Sequence, residues 1–251
     1  MITKKRLDVF LHEQNPQYSR RQIQSWIMQG KVSVDDRIIT KAGTQVTEEM
    51  DIVLSVEEPK FVSRAGLKLE KALDHFNIDV TDLVVLDAGI STGGFTDCLL
   101  QRGAQKVFGI DVGYGQVADK IRNDERVVLM ERTNLRTLNP KAIGEKVDLV
   151  TLDLSFISLL KVIDAVAQLI KDDGQLVTLI KPQFEAGKHE VGRGGVITDP
   201  QIHEVVVKNV INGIEKHGFQ NIGVVESPIF GASGNKEFLA YFKRKKSLFN
   251  L

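Results

Sequence analysis

Cysteine occurs once among the 251 residues, as Cys98, and this scarcity excludes an intrachain disulfide and any cysteine-rich zinc site. The five histidines, His12, His75, His189, His203 and His217, are scattered without HExxH or HxH spacing, so no metal centre is expected. Long apolar runs are missing too. Those present are short and broken by charge, well below the roughly 20 residues a membrane helix needs, and the start "MITKKRLDVF" has no signal-peptide apolar region. A cytoplasmic location without a membrane partner is the expectation. Collagen-like, low-complexity and coiled-coil biases are likewise absent. With 42% hydrophobic and 26% charged residues, the composition fits a globular protein with one large domain and room for a small one.

Net charge is zero, which argues against a nucleic-acid partner until the distribution is considered. The first 41 residues hold eight basic side chains (Lys4, Lys5, Arg6, Arg20, Arg21, Lys31, Arg37, Lys41) against Asp8, Glu13, Asp35 and Asp36. The stretch from there to Pro59 has only acids: Glu48, Glu49, Asp51, Glu57 and Glu58. A basic face on a small N-terminal module is therefore available. Leu7, Phe10 and Leu11 recur at helical spacing, "NPQYS" breaks the chain, and Ser19 is placed to cap a second helix with Ile23, Trp26 and Ile27 on one face. "KVSVDDRIIT" and "MDIVLSV" read as strands, with Asp35-Asp36 as a turn. Trp26 is read as a core anchor in preference to a base-stacking platform.

Arg6-Leu7-Asp8, Ser19-Arg20, Ile27, Gly30 and "KVSV" resemble the S4 RNA-binding domain in residue type and spacing. That resemblance implies a second helix whose basic residues meet RNA phosphates, and makes Lys5, Arg6, Arg20, Arg21 and Lys31 the RNA-binding candidates. Residues 1–54 are assigned to this α+β module, 55–62 to a linker within "SVEEPKFVS", and 63–251 to a larger domain.

In the larger domain strand and helix alternate: "LVVLD", a helix after Gly94, "KVFGID", a helix near 116–122, "RVVLM", "VDLVTLD", the helical "SLLKVIDAVAQLIK", "QLVTLIK", a helix over 201–216, and strands near 219–226 and 237–243. Fully apolar strand runs mean burial on both faces, hence a mostly parallel α/β sheet wrapped by helices. Seven strands in this order resemble the Rossmann-like sheet of class I methyltransferases, with the last strand reversed.

The segment "VVLDAGISTGGFTD" follows the first strand of that sheet and opens a helix. A dinucleotide loop would read GxGxxG, but here Ile90 and Ser91 separate Gly89 from Gly93. Asp87 is a poor neighbour for pyrophosphate and a good one for an ammonium group. S-adenosylmethionine carries an ammonium and a sulfonium, so it suits Asp87, Gly89, Ser91 and Gly93 better. Asp111 ends the second strand, where an acid would bind a ribose diol in a dehydrogenase and a methyltransferase alike.

For the methyl acceptor, two routes look closed. Exocyclic base nitrogens are usually served by a [D/N]PP[Y/F] turn, and this chain has Asp153-Leu154-Ser155-Phe156 without the prolines. Carbon-5 methylation of a pyrimidine needs a cysteine nucleophile, and Cys98 falls inside the helix after the loop. Lys68, Asp153, Lys181 and Glu237 remain at the strand ends and domain start, and they resemble the K-D-K-E tetrad of FtsJ-like RNA 2'-O-methyltransferases. A ribose hydroxyl is a weak acid, so a base must take its proton as the oxygen attacks. Lysine serves only where partial burial beside a second ammonium weakens its hold on a proton. Lys181 is the base candidate, Lys68 its neighbour, and Asp153 and Glu237 hold the ammonium groups.

"SRAGLKL", "LDAGISTGGFTD", "DVGYGQ", "RNDERVV", "ERTNLR", "DLSFIS", "KPQFEAGK" and "SGNKEF" resemble, in order, the blocks of the TlyA family, historically labelled hemolysins. The resemblance implies 2'-O-methylation of a cytidine in ribosomal RNA, free or in a ribosomal subunit, and places Asn134 near the adenine of the cofactor. The short end "KRKKSLFNL" leans toward the large-subunit 23S RNA. The glycine-rich stretch 183–200, with Lys188 and Arg193, is expected to be an RNA-contacting lid. No DNA partner is expected. Two rival readings differ in class: a cytolysin, which would need a membrane-seeking segment, and a catalytically silent RNA-binding factor, which would give no heat with S-adenosylmethionine in calorimetry.

Overall fold

The computed structural model describes residues 4–56, 59–187, 189–192, 194–231 and 233–245, and the chain divides into two compact units, Met1–Glu58 and Pro59–Leu251. The first unit runs β1 (Lys5–Arg6), α1 (Leu7–Gln14), α2 (Arg20–Met28), β2 (Val32–Val34), β3 (Arg37–Ile38), β4 (Gln45–Val46) and β5 (Ile52–Leu54). Ser19 caps α2 through a reciprocal box: its Oγ accepts from the Gln22 amide at 3.3 Å, and the Gln22 side chain accepts from the Ser19 amide at 2.8 Å. Asp35 and Asp36 join β2 to β3 with positive φ angles of 47° and 63°, the form of a two-residue turn that matches strand twist. The ladder between β1 and β4 is only two residues long, too short to give the alternation that marks a strand in sequence.

Leu7, Leu11, Ile23, Ile27, Val32, Val34 and Val46 make the core of this unit, and Trp26 packs half-buried against it, edge-on to Tyr18. Asp8 lies wholly buried beside them. Burial alone would push its carboxyl up, yet hydrogen bonds from Arg6, Gln24 and Arg20 outweigh this and hold it well below the usual carboxylate range.

The second unit runs α3 (Ala65–Phe76), β6 (Val84–Ala88), α4 (Gly94–Gln101), β7 (Lys106–Ile110), α5 (Asp119–Arg122), β8 (Val127–Met130), β9 (Val147–Leu152), α6 (Ile163–Leu169), β10 (Ile170–Ile180), α7 (Pro182–Glu185), α8 (Pro200–Glu215), β11 (Phe219–Glu226) and β12 (Phe238–Arg244). Its seven-stranded sheet has the order β11-β12-β10-β9-β6-β7-β8, parallel except for β12, which lies antiparallel between β10 and β11. Side chains alternate across it. Leu86, Phe108, Val150 and Leu176 pack under α6 and α8, while Val85, Val107, Leu149 and Val177 pack under α3 and α4. Burial on both faces is why these strands read as unbroken apolar runs.

Three expectations are corrected. The helix near 116–122 is one turn, α5. "SLLKVIDAVAQLIK" is helical only to Leu169; β10 starts at Ile170, with a register irregularity before Gln175 around Asp172-Asp173-Gly174. Residues 61 and 62, expected in the linker, belong to the second unit: Phe61 is buried in its core and the Val62 amide donates to Asp97 Oδ2 at 2.8 Å. Among the described residues, no helix is long and apolar enough to cross a membrane.

Candidate active site

Close approach of backbone explains the glycines after β6. Gly89 has φ +86°, and a Cβ there would stand 2.4 Å from the Asp153 carbonyl oxygen, so glycine lets this loop close on the end of β9. A Cβ on Gly94 would stand 2.2 Å from Ser63 Oγ and 2.9 Å from the Gly66 nitrogen, so α4 can begin directly against the start of α3. The Ser91 amide donates to Asp111 Oδ2 at 2.9 Å and the Gly113 amide to Oδ1 at 2.7 Å. Two loop amides thus fix the Asp111 carboxylate at the end of β7.

Beside it opens a cleft of about 460 Å³, whose wall includes Gly89, Ser91, Asp111, Asn134, Asp153 and Ser155, within the ~300–1,000 Å³ typical of small-molecule sites. Asn134 accepts from the Arg136 amide at 3.0 Å, which sets its side chain at the turn after β8. Gly93 turns the loop beneath and is buried.

Asp87 takes a different place from the one expected. It is fully buried under the loop and absent from the cleft wall, and its two carboxylate oxygens accept from Thr96 Oγ1 at 2.7 Å and Thr151 Oγ1 at 2.8 Å. Direct contact with a ligand ammonium is therefore replaced by support of the loop from below. Burial pushes the Asp87 carboxyl up to about 6, against the pull of those two hydroxyls. A carboxyl raised above its unfolded value of about 4 favours folding below that pH, and the contribution is lost as pH rises through about 6. Asp87→Asn keeps the shape, and the threonine hydroxyls can turn to suit it. The unfolding free energy of Asp87→Asn relative to wild type should therefore grow by up to about 3 kcal/mol between pH 4 and 7. Urea titrations at both pH values check this, and a flat difference overturns it.

The four charged candidates meet as two ion pairs. Lys68 Nζ lies 2.6 Å from Glu237 Oε2, and Lys181 Nζ lies 2.6 Å from Asp153 Oδ1. Both lysine side chains are only 10% exposed, so these are not solvated surface pairs. The Lys181–Asp153 contact lies outside hydrogen-bonding geometry; the ammonium donates instead to Ser155 Oγ at 2.9 Å. A second cavity of about 160 Å³ includes Ser63, Phe95 and Lys181 in its wall, and shares Gly89, Ser91, Asp153 and Ser155 with the larger cleft. Lys68 and Glu237 line neither of the two.

Three residues escaped the sequence reading. Ser155 binds the Lys181 ammonium. Phe156 is 90% exposed at the cleft wall, with φ +63° and its ring 5.0 Å from that of Phe184. Glu185 accepts from Ser158 Oγ at 2.6 Å and from the Leu159 amide at 2.8 Å, tying α7 to the loop after β9; burial raises its carboxyl. "DLSFIS" carries the first two, yet nothing in its local spacing marks either for a role.

In the first unit, Lys5 pairs with Glu13 at 2.7 Å, while Arg6 and Arg20 both grip buried Asp8. Arg21 and Lys31 are exposed, Lys31 in a hollow with Trp26 and Gln29. Lys188 and Arg193 lie outside the described residues. Part of their stretch is pinned: buried Asn235 accepts from the Ile197 amide at 2.9 Å and donates to the Gly195 carbonyl at 2.8 Å.

The FtsJ-like methyltransferase family model matches residues 61–244, and the S4 domain model residues 5–53. The chain is 45% identical over 244 residues, 97% of this chain and 91% of the other, to the 16S/23S rRNA (cytidine-2'-O)-methyltransferase TlyA of Mycobacterium tuberculosis. To Hemolysin A of Brachyspira hyodysenteriae it is 41% identical over 238 residues, 94% of this chain and 99% of the other. A solved structure of a hemolysin-named protein from Streptococcus thermophilus matches with a TM-score of 0.76 at 39% identity, covering 98% of this chain and 90% of that one. The chain is a methyltransferase and belongs to the FtsJ-like family, in the S4-bearing group that includes TlyA.

Proposed function

We propose that the chain methylates the ribose 2'-hydroxyl of a cytidine in ribosomal RNA, 23S in preference to 16S, with S-adenosylmethionine as methyl donor, in the cytoplasm. The observation that carries this reading is the pair of adjoining cavities with Lys181 in the wall of the smaller, held by Asp153 and Ser155. When bound, S-adenosylmethionine supplies an electrophilic methyl group. The donor set of the larger cleft fits it: Gly89 and Ser91 give close backbone approach, Asp111 offers a carboxylate to a diol, and Asn134 lines the same cleft with a side-chain amide that could meet an adenine. Gly93 and Asp87 support that loop from beneath, so Asp87→Ala should weaken cofactor affinity more than tenfold in calorimetry, by loosening the loop and not by removing a contact.

Lys181 takes the proton of the ribose hydroxyl as its oxygen attacks. Asp153 holds the amine in place by charge, and Lys68, buried and paired with Glu237, is the second lysine of the tetrad. Phe156 offers an aromatic face to a base unstacked from its neighbours, the usual means of holding single-stranded RNA. The hemolysin-named relative of Brachyspira hyodysenteriae aligns with 94% of this chain, and methyl transfer, not lysis, is the activity this site supports.

Incubation with labelled cofactor and separated 16S RNA, 23S RNA and intact subunits tests the reading. The expected result is label on a cytidine 2'-oxygen of 23S RNA. Label on a base, or none on any RNA, overturns it, and label on 16S RNA alone overturns the preference.

The first unit is the RNA grip in this reading, and its arginines differ in what they do. Arg20 satisfies buried Asp8 as well as facing solvent, so Arg20→Ala should destabilise the unit by about 1–3 kcal/mol by leaving a buried carboxylate short of donors. Arg21→Ala should leave thermal unfolding unchanged and reduce the slope of log affinity against log salt by about 1. RNA binding from low to moderate salt checks this; an unchanged slope removes Arg21 from the interface.

A further inference from the structure

We propose that Ser155 is a positioning residue that aims the Lys181 amine at the ribose hydroxyl. This rests on the reading of Lys181 as base. Lys181 emerges at the end of β10, with its side chain 10% exposed, and its ammonium has three N–H directions. Asp153 Oδ1 stands 2.6 Å away, outside hydrogen-bonding geometry, and Ser155 Oγ accepts at 2.9 Å. Lys181 itself stands in the wall of the small cavity, together with Asp153 and Ser155. When the nitrogen gives up one proton to become a base, two N–H bonds and one lone pair remain. Ser155 Oγ holds one N–H by a directed hydrogen bond and the Asp153 carboxylate draws the amine by charge alone, so Ser155 decides which way the lone pair is turned. With only the Asp153 carboxylate, which makes no directed hydrogen bond to it, the amine could rotate about its Cε–Nζ bond and turn the lone pair aside. The proton then moves from the ribose oxygen to Lys181 Nζ as the oxygen–methyl bond forms and the donor's sulfur–methyl bond breaks, leaving a neutral thioether, and Ser155 keeps its own proton throughout.

The rest of the loop is built to keep Ser155 in place. The segment from Asp153 to Ser158 leaves β9 and is anchored at its far end by Glu185, through Ser158 Oγ at 2.6 Å and the Leu159 amide at 2.8 Å. Glu185 ends α7, which starts directly after Lys181. The short segment carrying the base is thus tied to the segment carrying its acceptor, so Lys181 and Ser155 are fixed relative to each other by the same few residues. Phe156 against Phe184 adds a ring contact between the two. Ser155 also lines both cavities, so its hydroxyl sits where small displacements of Lys181 matter most.

The test is a double-mutant cycle in the full chain, read as single-turnover rate at saturating RNA and cofactor, with both affinities measured separately. Ser155→Ala should slow transfer by about tenfold or more, with affinities within twofold of wild type, and Ser155→Thr, which restores an acceptor oxygen, should recover most of the rate. In a Lys181→Ala background, Ser155→Ala should cost nothing further, because a residue acting only through the lysine has nothing left to aim. An unchanged rate for Ser155→Ala, or an equal loss in both backgrounds, overturns the positioning role. Failure of the underlying reading looks different: Lys181→Ala itself would then transfer methyl at near wild-type rate, whatever Ser155 does.

Discussion

Lys181→Arg should lower methyl-transfer turnover by about 10²-fold or more, the usual scale for loss of a general base, while cofactor and RNA affinities stay within a few-fold. The guanidinium keeps the positive charge and can still meet Asp153, so the pairing now seen at 2.6 Å survives in kind. What is lost is the ability to exchange a proton with the substrate, since arginine does not release its proton in proteins. The site is tight, with Lys181 only 8% exposed, and a bulkier head group could shift neighbours. Lys181→Ala is the companion variant: it removes bulk as well as base and should be no faster. Single-turnover rates with calorimetric affinities separate chemistry from binding. A Lys181→Arg enzyme with near wild-type rate would leave the lysine as a substrate contact, and Lys68 becomes the next candidate.

Removal of residues 1–58 should abolish methylation of RNA and leave cofactor binding within about twofold. The second unit begins at Pro59 and owns both layers of core around its sheet, including Phe61 and the Val62–Asp97 hydrogen bond that secure its first residues. Its cofactor cleft is walled entirely by residues from 88 onward. The excised unit carries the basic side chains Lys5, Arg6, Arg20, Arg21 and Lys31, which in the proposed reading supply the salt-dependent part of RNA affinity. The expected readings are a normal binding isotherm for S-adenosylmethionine and a loss of at least about 10² in methylation at sub-saturating RNA. A truncated chain that methylates RNA at the full rate removes the first unit from substrate capture.

The sheet strands were legible because burial on both faces leaves an apolar signature, as in "VVL" of β6, where Val84, Val85 and Leu86 are all buried. Short, irregular pieces were not. The β1–β4 ladder has two residue pairs, and the end of α6 merges into β10 with no intervening loop, so neither gives a window long enough for periodicity to register. Ser155 and Glu185 were invisible for another reason: their roles consist of a contact between the loop after β9 and the segment after β10, 26 residues apart in the chain.

By itself the sequence determined the alternation of strands and helices, the glycine loop after β6, and the presence of two lysines and two carboxylates near strand ends and in the segment that opens the second unit, because these depend on local periodicity and residue type. The tertiary structure decided which charges pair. Lys68 meets Glu237 across 169 residues, and Lys181 meets Asp153 across the parallel neighbours β10 and β9. It also decided that Asp87 supports the glycine loop from within the core, since the same β6 side chain could by sequence face a ligand or the threonines of α4 and β9. Pairing and burial are set by which strand ends the sheet order makes adjacent, and that order, β10-β9-β6-β7, follows from the packing of the whole second unit and not from any single segment.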